Sequence, residues 1–249
     1  MQRMRLLRNI VVLTGAGISA ESGLRTFRAE DGLWEDHPVE EVATPAGFAR
    51  DPDLVQRFYD ERRAQVLAAA PNAAHAALAR LDRAWSAERG ELLIVTQNVD
   101  DLHERANGQG GATRVLHMHG EALSAWCTAC DARVRWEGTL RDRPPCPACG
   151  TARLRPDIVW FGEMPYGMET IYAALARADL FVSIGTSGAV YPAAGFVQQA
   201  AAGGARTLEL NLERSLGSRL FDETRLGAAT TLVPQWVEEV LGEASATAM

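Results

Sequence analysis

Every cysteine of this 249-residue chain lies in one short window, as Cys127-Thr128-Ala129-Cys130 and Cys146-Pro147-Ala148-Cys149, with fifteen residues between the pairs. This is zinc-ribbon spacing, because two CxxC turns aim four thiolates at one point. Four sulfurs close the tetrahedron and leave no position for water. A Zn2+ on Cys127, Cys130, Cys146 and Cys149 is therefore expected to brace the fold and not to catalyse. A disulfide pair would need an oxidising compartment, and a redox CxxC would open a helix after a strand, which neither pair does.

Outside that window, short apolar runs alternate with helical patterns. Asn9–Thr14 is expected to be a buried strand running into the G-x-G-x-x-A turn Gly15-Ala16-Gly17-Ile18-Ser19-Ala20, which would open a helix. Further strands are expected at Leu92–Thr96, Ile158–Phe161, Leu180–Ile184, Thr207–Leu210 and Thr231–Val233. Helices are expected at Asn72–Trp85 and Pro52–Ala69, the latter with Asp51 and Asp53 placed to cap its free N–H groups. The alternation implies an α/β fold: a Rossmann-like, doubly wound, mostly parallel sheet with the small zinc ribbon inserted. At roughly 100 to 200 residues per domain the chain is one large or two modest domains. The expected division is a nucleotide-binding part from about residues 8–34, 71–119 and 156–241, and a small domain from about 35–70, helical, and 120–155, the ribbon.

Composition narrows the function. With 47% hydrophobic and 23% charged residues the chain can bury a core, which excludes disorder of the whole. The longest apolar runs, Ile10–Leu13 and Leu92–Val95, fall far short of the roughly 18 residues a membrane span needs. A net charge of −7 and scattered basic residues, all of them arginine, argue against nucleic acid as a partner. No cleavable leader follows Arg3, Arg5 and Arg8, so a cytoplasmic protein is expected, acting as a monomer.

Alone, the glycine turn is weak support for a phosphate site, because tight strand-to-helix turns use glycine for steric reasons too. An ordinary dinucleotide fold also places an acidic residue about 20 residues on, at the end of its second strand. Here that window, Thr26 to Trp34, has no strand pattern. The chain is expected to make a long excursion over the cofactor site, and Asn211 with Glu213, after the Thr207–Leu210 strand, are the candidates for the ribose.

Taken together, these residues resemble the sirtuins, NAD-dependent protein lysine deacylases. The motifs are Gly15-Ala16-Gly17-Ile18-Ser19 with Gly23-Leu24-Arg25-Thr26-Phe27-Arg28, Thr96-Gln97-Asn98-Val99-Asp100, His119-Gly120, the four cysteines, Val159-Trp160-Phe161-Gly162-Glu163, Gly185-Thr186-Ser187 and Asn211-Leu212-Glu213. They occur in the family's order over about residues 8–241; Ala29 departs, standing where many members have Gly. The resemblance implies NAD as co-substrate, an acylated lysine in a protein or peptide as partner, and 2′-O-acyl-ADP-ribose, nicotinamide and free lysine as products. It implies that Gly15, Ala16 and Gly17 offer N–H groups to the diphosphate with Arg28 adding charge. Ser19 and Phe27 belong to the same cofactor loop. Ile18 and Asp100 would meet the nicotinamide beside Gln97 and Asn98, and Gly185, Thr186, Ser187, Asn211, Leu212, Glu213 and Ala229 the adenosine half.

By pattern alone His119 and His117 are equivalent candidates for a general base, two residues apart on one strand face. The His-Gly pairing of the resemblance selects His119, with Gln97 and Asn98 as further catalytic residues, and leaves His37, His75 and His103 without a role. The peptide would pair as a strand between Val159, Phe161 and Gly162 on one side and Gly188–Tyr191 on the other. Tyr59 and Arg62 share a helix face, and Tyr-x-x-Arg resembles the pair that marks bacterial and other members preferring acidic acyl groups, succinyl or malonyl. Two alternatives stand beside this: protein ADP-ribosyl transfer, and a non-catalytic NAD-sensing scaffold.

Overall fold

The computed structural model describes residues 7–25, 33–34, 37–108 and 114–246, with only the backbone described at 33–34 and 243–246. Strand β1 (Ile10–Thr14) is buried along its whole length and ends in two 3-10 turns (Ala16–Ile18 and Ala20–Ser22), not in the expected α-helix. The pair β2 (Leu33–Trp34) and β3 (His37–Pro38) leads to helices α1 (Val39–Val42), α2 (Pro45–Arg50), α3 (Pro52–Ala68) and α4 (Ala73–Ala84). Then come β4 (Leu92–Thr96), α5 (Leu102–Asn107), β5 (Val115–His117), β6 (Gly120–Cys127), β7 (Arg133–Arg135) and β8 (Leu154–Ile158). The last third alternates α6 (Met168–Arg177), β9 (Leu180–Ile184), α7 (Phe196–Ala202), β10 (Arg206–Asn211), β11 (Glu223–Leu226) and α8 (Ala229–Ala246).

The two long helices ahead of β4 start where side chains satisfy their first N–H groups. Asp51 accepts from Leu54 N at 2.9 Å, with Pro52 opening α3. Asp53, expected to cap as well, instead pairs with Arg143 at 2.7 Å. At α4, Asn72 Oδ1 accepts from Ala74 N (2.9 Å), and His75 Nδ1 accepts from Asn72 N (3.3 Å), a capping box with histidine in the usual Glu or Gln place.

Six parallel strands form the main sheet in the order β11-β10-β9-β1-β4-β5. Counted along the chain this is the 3-2-1-4-5-6 order of doubly wound folds, and its direction of winding reverses at β1 and β9. Alternate residues face two cores. Val12, Ile94, Val182 and Leu210 pack on Leu78, Leu81, Val233 and Trp236 of α4 and α8. Val11, Leu13, Val95 and Phe181 pack on α6 and α7 through Ile171, Leu175, Phe196 and Val197.

Two expected strands are corrected. Thr231–Val233 lies inside α8, where Val233, Trp236, Val237 and Val240 repeat at helical spacing and bury one stripe. The Ile158–Phe161 strand ends at Ile158 as β8, in a separate antiparallel sheet ordered β7-β6-β8. Beyond it Val159 N donates to His119 O and Phe161 N to Ala43 O, both at 2.9 Å. The short strands β5 and β11, only half-buried, were not expected from the sequence.

The three-stranded sheet carries the cysteine turns and is fastened to α3. Gln56 Nε2 donates to Leu154 O (3.0 Å) and Arg63 Nε to Ala122 O (2.9 Å). Asp60 accepts from Leu140 N (2.9 Å), Arg141 N (3.1 Å) and the Thr139 hydroxyl. Among the described residues no helix is long and apolar enough to cross a membrane.

Candidate active site

The carboxyl ends of β1 and β9 meet where the winding reverses, the place at which doubly wound sheets hold ligands. Here the glycines are required by packing. A Cβ on Gly17 would stand 2.6 Å from Gly185 Cα, and one on Gly185, at φ +63°, 2.6 Å from Ile18 N. The same close approach consumes donors: Gly15 N bonds Ile184 O (3.0 Å) and Gly17 N bonds Gly185 O (2.9 Å). In this structure the Gly15 and Gly17 N–H groups thus tie the turn to the end of β9 and to the loop that follows it. Beside this junction opens a shallow cleft, lined among others by Leu13, Gln97, Ser183, Thr186, Gly188 and Ser215.

Behind the loop lies a buried polar network. Asn98 Nδ2 donates to Gly15 O (3.2 Å) and Ser19 Oγ (3.1 Å), while Ser19 Oγ donates to Asp100 Oδ2 (3.0 Å). His75 Nδ1 accepts from Asn72 N, so its hydrogen sits on Nε2 and points to Ser19 Oγ at 3.4 Å. Burial pushes His75 down to about 4, and drives His103, at 3.1 Å from Thr14 Oγ1, well below its ordinary value. Both are neutral at physiological pH. Burial also raises Asp100, against the opposing bonds from Leu102 N and Ser19.

His117 and His119 are pushed in opposite directions. His117 Nδ1 faces Asn98 O (3.2 Å) and its Nε2 faces Glu104 Oε1 (3.0 Å). Carbonyls and carboxylates only accept, so the two contacts together favour the doubly protonated ring. Burial opposes this charge, but the bond and charge of Glu104 outweigh it and hold His117 above its ordinary value. His119 Nδ1 faces Gln97 O at 3.0 Å, which places its one hydrogen there. Burial lowers His119 and outweighs the Gln97 bond. Its Nε2 lone pair has no protein partner among the described residues. Gly120, at φ +83°, is needed next, because a Cβ there would stand 2.0 Å from Asp157 O.

Toward β10, Thr186 is buried with its hydroxyl 2.8 Å from Ser183 Oγ, and Ser187 Oγ accepts from Ala189 N at 3.3 Å. Asn211 is committed to holding this loop, donating to Thr186 O at 2.7 Å and accepting from Leu212 N at 3.0 Å. Leu212 and Glu213 are exposed, and Ala229 opens α8, half-buried. Phe27 and Arg28 lie outside the described residues. On the opposite side Val159 is half-buried, and Phe161 and Gly162, the latter at φ +91°, are exposed. Tyr59 and Arg62 are buried on one face of α3, with the Arg62 guanidinium 5.3 Å from the Phe58 ring centre.

The four cysteine sulfurs converge within 4.8 Å of one another. Cys127 and Cys149 are 3.7 Å apart and Cys130 and Cys146 3.9 Å. These are too long for a disulfide, near 2.05 Å. They match the edge of about 3.8 Å of a tetrahedron with Zn–S near 2.3 Å, and an all-thiolate donor set suits zinc. The cysteines fit a closed, structural Zn2+.

A family model described as the Sir2 family matches residues 15–192. The chain belongs to the Sir2 family. Among curated Sir2-type relatives, the NAD-dependent protein deacylase of Pasteurella multocida (strain Pm70) is 58% identical over 235 residues, 93% of this chain and 97% of that one. That of Yersinia pestis is 57% identical over 235 residues, 93% of this chain and 82% of its own length. A solved Sir2 homologue in complex with NAD superposes with a TM-score of 0.82 at 38% identity, covering 94% of this chain and 90% of the other. A Sir2 structure with a deacetylated peptide and 3′-O-acetyl ADP ribose gives 0.79 at 29% identity, covering 94% of each chain.

Within this Sir2 chain, hydrogen bonds join Ser19, Asn98 and Asp100 in one network on the Gly15 carbonyl and tie His119 to Gln97 O, while Gln97 and Thr186 line the cleft. The geometry also recruits residues to which the sequence reading assigned no role: Asn72, which holds Ile18 O at 2.8 Å, His75, and Glu104. The Asn72-x-x-His75 spacing at a helix start was a legible signal for the first two. Glu104 had none, since its partner lies thirteen residues away across a turn.

Proposed function

We propose that this chain is an NAD-dependent protein-lysine deacylase that accepts acetyl and acidic acyl groups and releases nicotinamide, free lysine and 2′-O-acyl-ADP-ribose. The observation that carries the reading is the protonation geometry of His119: Nδ1 donates to Gln97 O, which leaves a basic Nε2. When bound, NAD supplies an electrophilic ribose carbon with a good leaving group. His119 Nε2 would take up a proton in the reaction, and one water is consumed in freeing the lysine amine from the acyl group. Asn98, fixed by Gly15 O and Ser19, and Asp100, fixed by Ser19 and Leu102 N, hold the nicotinamide end. Thr186, Ser187 and the Asn211–Glu213 segment receive the adenosine half, and Val159, Phe161 and Gly162 border the peptide. Segments 35–70 and 120–155 act together as the small domain, and the protein works as a cytoplasmic monomer.

Tyr59 and Arg62 choose the acyl group: a guanidinium can grip a carboxylate with two bonds and a phenol can donate a third. The test is a mass-spectrometric assay of one peptide carrying acetyl, succinyl or malonyl lysine, with and without NAD. NAD-dependent deacylation of acetyl and acidic-acyl peptides is expected. NAD binding without turnover would indicate a scaffold, and a mass gain on protein would indicate ADP-ribosyl transfer; either would overturn the reading.

A further inference from the structure

Tyr59 does not stand alone in its helix. Its hydroxyl oxygen accepts a 3.0 Å hydrogen bond from the indole Nε1 of Trp160, a residue 2% exposed and 101 positions away. The ring centres are 6.3 Å apart, and Phe48 closes another side of the indole at 5.1 Å. The Arg155 guanidinium carbon lies 3.4 Å from the Trp160 ring centre, stacked on it. Arg155 is in turn locked: it donates to Glu163 through both Nη atoms (2.8 and 3.0 Å) and to Ile158 O at 2.7 Å. Glu163 Oε2 also accepts from Trp160 N at 2.8 Å. The indole is thus held by its own backbone, by a stacked cation and by a packed ring, and it has one donor with one place to point.

That donor constrains the phenol. An indole N–H can only donate, so Tyr59 Oη acts as the acceptor toward Trp160 and its own hydrogen must point away from it. Burial pushes the Tyr59 phenol well above its ordinary value, so it keeps that hydrogen at any physiological pH.

We propose that Trp160 is a specificity-determining positioning residue, which aims the Tyr59 O–H donor and thereby favours acyl groups that end in a carboxylate. The inference rests on the reading that Tyr59 helps choose the acyl group. An acetyl group has no acceptor beyond its amide, so it gains nothing from this orientation. A succinyl or malonyl carboxylate accepts the aimed hydrogen, and would have to wait for a freely turning hydroxyl if the indole N–H were gone.

The test measures kcat/KM on one peptide bearing succinyl or acetyl lysine, for wild type, Trp160→Phe, Tyr59→Phe and the double variant. Trp160→Met, which fills volume without an N–H, serves as a second replacement, and thermal melts establish that each variant is folded. In both Trp160 variants the succinyl-to-acetyl ratio is expected to fall about two- to ten-fold, the range of one neutral hydrogen bond, through KM for the succinyl peptide. In the Tyr59→Phe background the same replacement should leave the ratio where Tyr59→Phe alone put it. A ratio unchanged by either replacement overturns the proposal, as does an equal fall with and without the Tyr59 hydroxyl, which a merely structural role would produce. If wild type does not act on the succinyl peptide, the acidic-acyl reading fails first and takes the proposal with it.

Discussion

Among the described residues the parallel sheet is packed into two clusters of nineteen and thirteen buried residues, whereas the cysteine-bearing sheet has its own cluster of five, two of them cysteines, and packs Ala122, Leu123 and Ile158 against α3. At about 25 cal/mol per Å2 of apolar surface removed from water, the first region holds itself together. The second buries far less by itself and is expected to draw on its metal and on its contacts with α3. The contrast bears on the proposed function because its candidate residues lie at the seam: His119 stands between β5 of the large sheet and β6 of the small one, and Tyr59 and Arg62 sit on the helix whose Asp60 and Arg63 grip the ribbon.

The largest expected effect breaks the contrast from the ribbon side. Structural zinc contributes on the order of 10 kcal/mol in small metal-dependent modules, so Cys130→Ser or chelation should remove about one zinc per chain and expose β6–β8 to rapid amide exchange. Amides of β1, β4 and β9 should stay protected, at least at low temperature. Uniform loss of protection would show that the two regions fold as one.

Next is the seam. His119→Ala should lower deacylation about 100-fold or more, while His117→Ala, whose ring nitrogens are both engaged by Asn98 O and Glu104, should matter far less. Since burial holds His119 below its ordinary value, wild-type kcat/KM should persist as pH falls past about 6.5 and be lost only at lower pH. Equal losses in the two variants would refute the assignment.

Third, Arg62→Met should reduce desuccinylation about thirty-fold to several thousand-fold, if truncating a buried charge pair costs roughly 2–5 kcal/mol. Deacetylation should largely survive. Equal proportional losses on both acyl groups would make Arg62 a packing residue.

Smaller effects sharpen the sheet side. Asn72→Ala removes a helix cap and the tether to Ile18 O, and should cost about 1 kcal/mol by denaturant unfolding, with KM for NAD raised. The smallest is a pH effect: His117 is raised by Glu104, so its contribution is complete below the unfolded value near 6.5 and is lost as pH rises through the folded value. The stability gap between wild type and Glu104→Gln should therefore narrow from pH 6 to pH 9. A gap that widens over this range would contradict the doubly protonated ring.

Much of this was legible along the chain because it depends on near neighbours. The cysteine spacing, the apolar runs of β1, β4 and β9, the Asp51 cap and the helix carrying Tyr59 each follow from residues within a few positions of one another. The fate of Thr231–Val233 was not, since a short apolar run suits a strand or a helix until Trp236 and Val240 find the sheet.

By itself, then, the sequence determined the fold class, the family and the four cysteines that converge as metal ligands. Tertiary structure decided what those residues do there. What the Gly15 and Gly17 N–H groups bond within the fold, which of two near-identical histidines keeps a free lone pair, and which way the Tyr59 hydroxyl turns all depend on partners elsewhere in the fold. Ile184, Gly185, Gln97, Glu104 and Trp160 stand from thirteen to about 170 positions away. A donor is used up, or an acceptor demands a hydrogen, only when folding brings the two groups within about 3 Å, and no local pattern records that encounter.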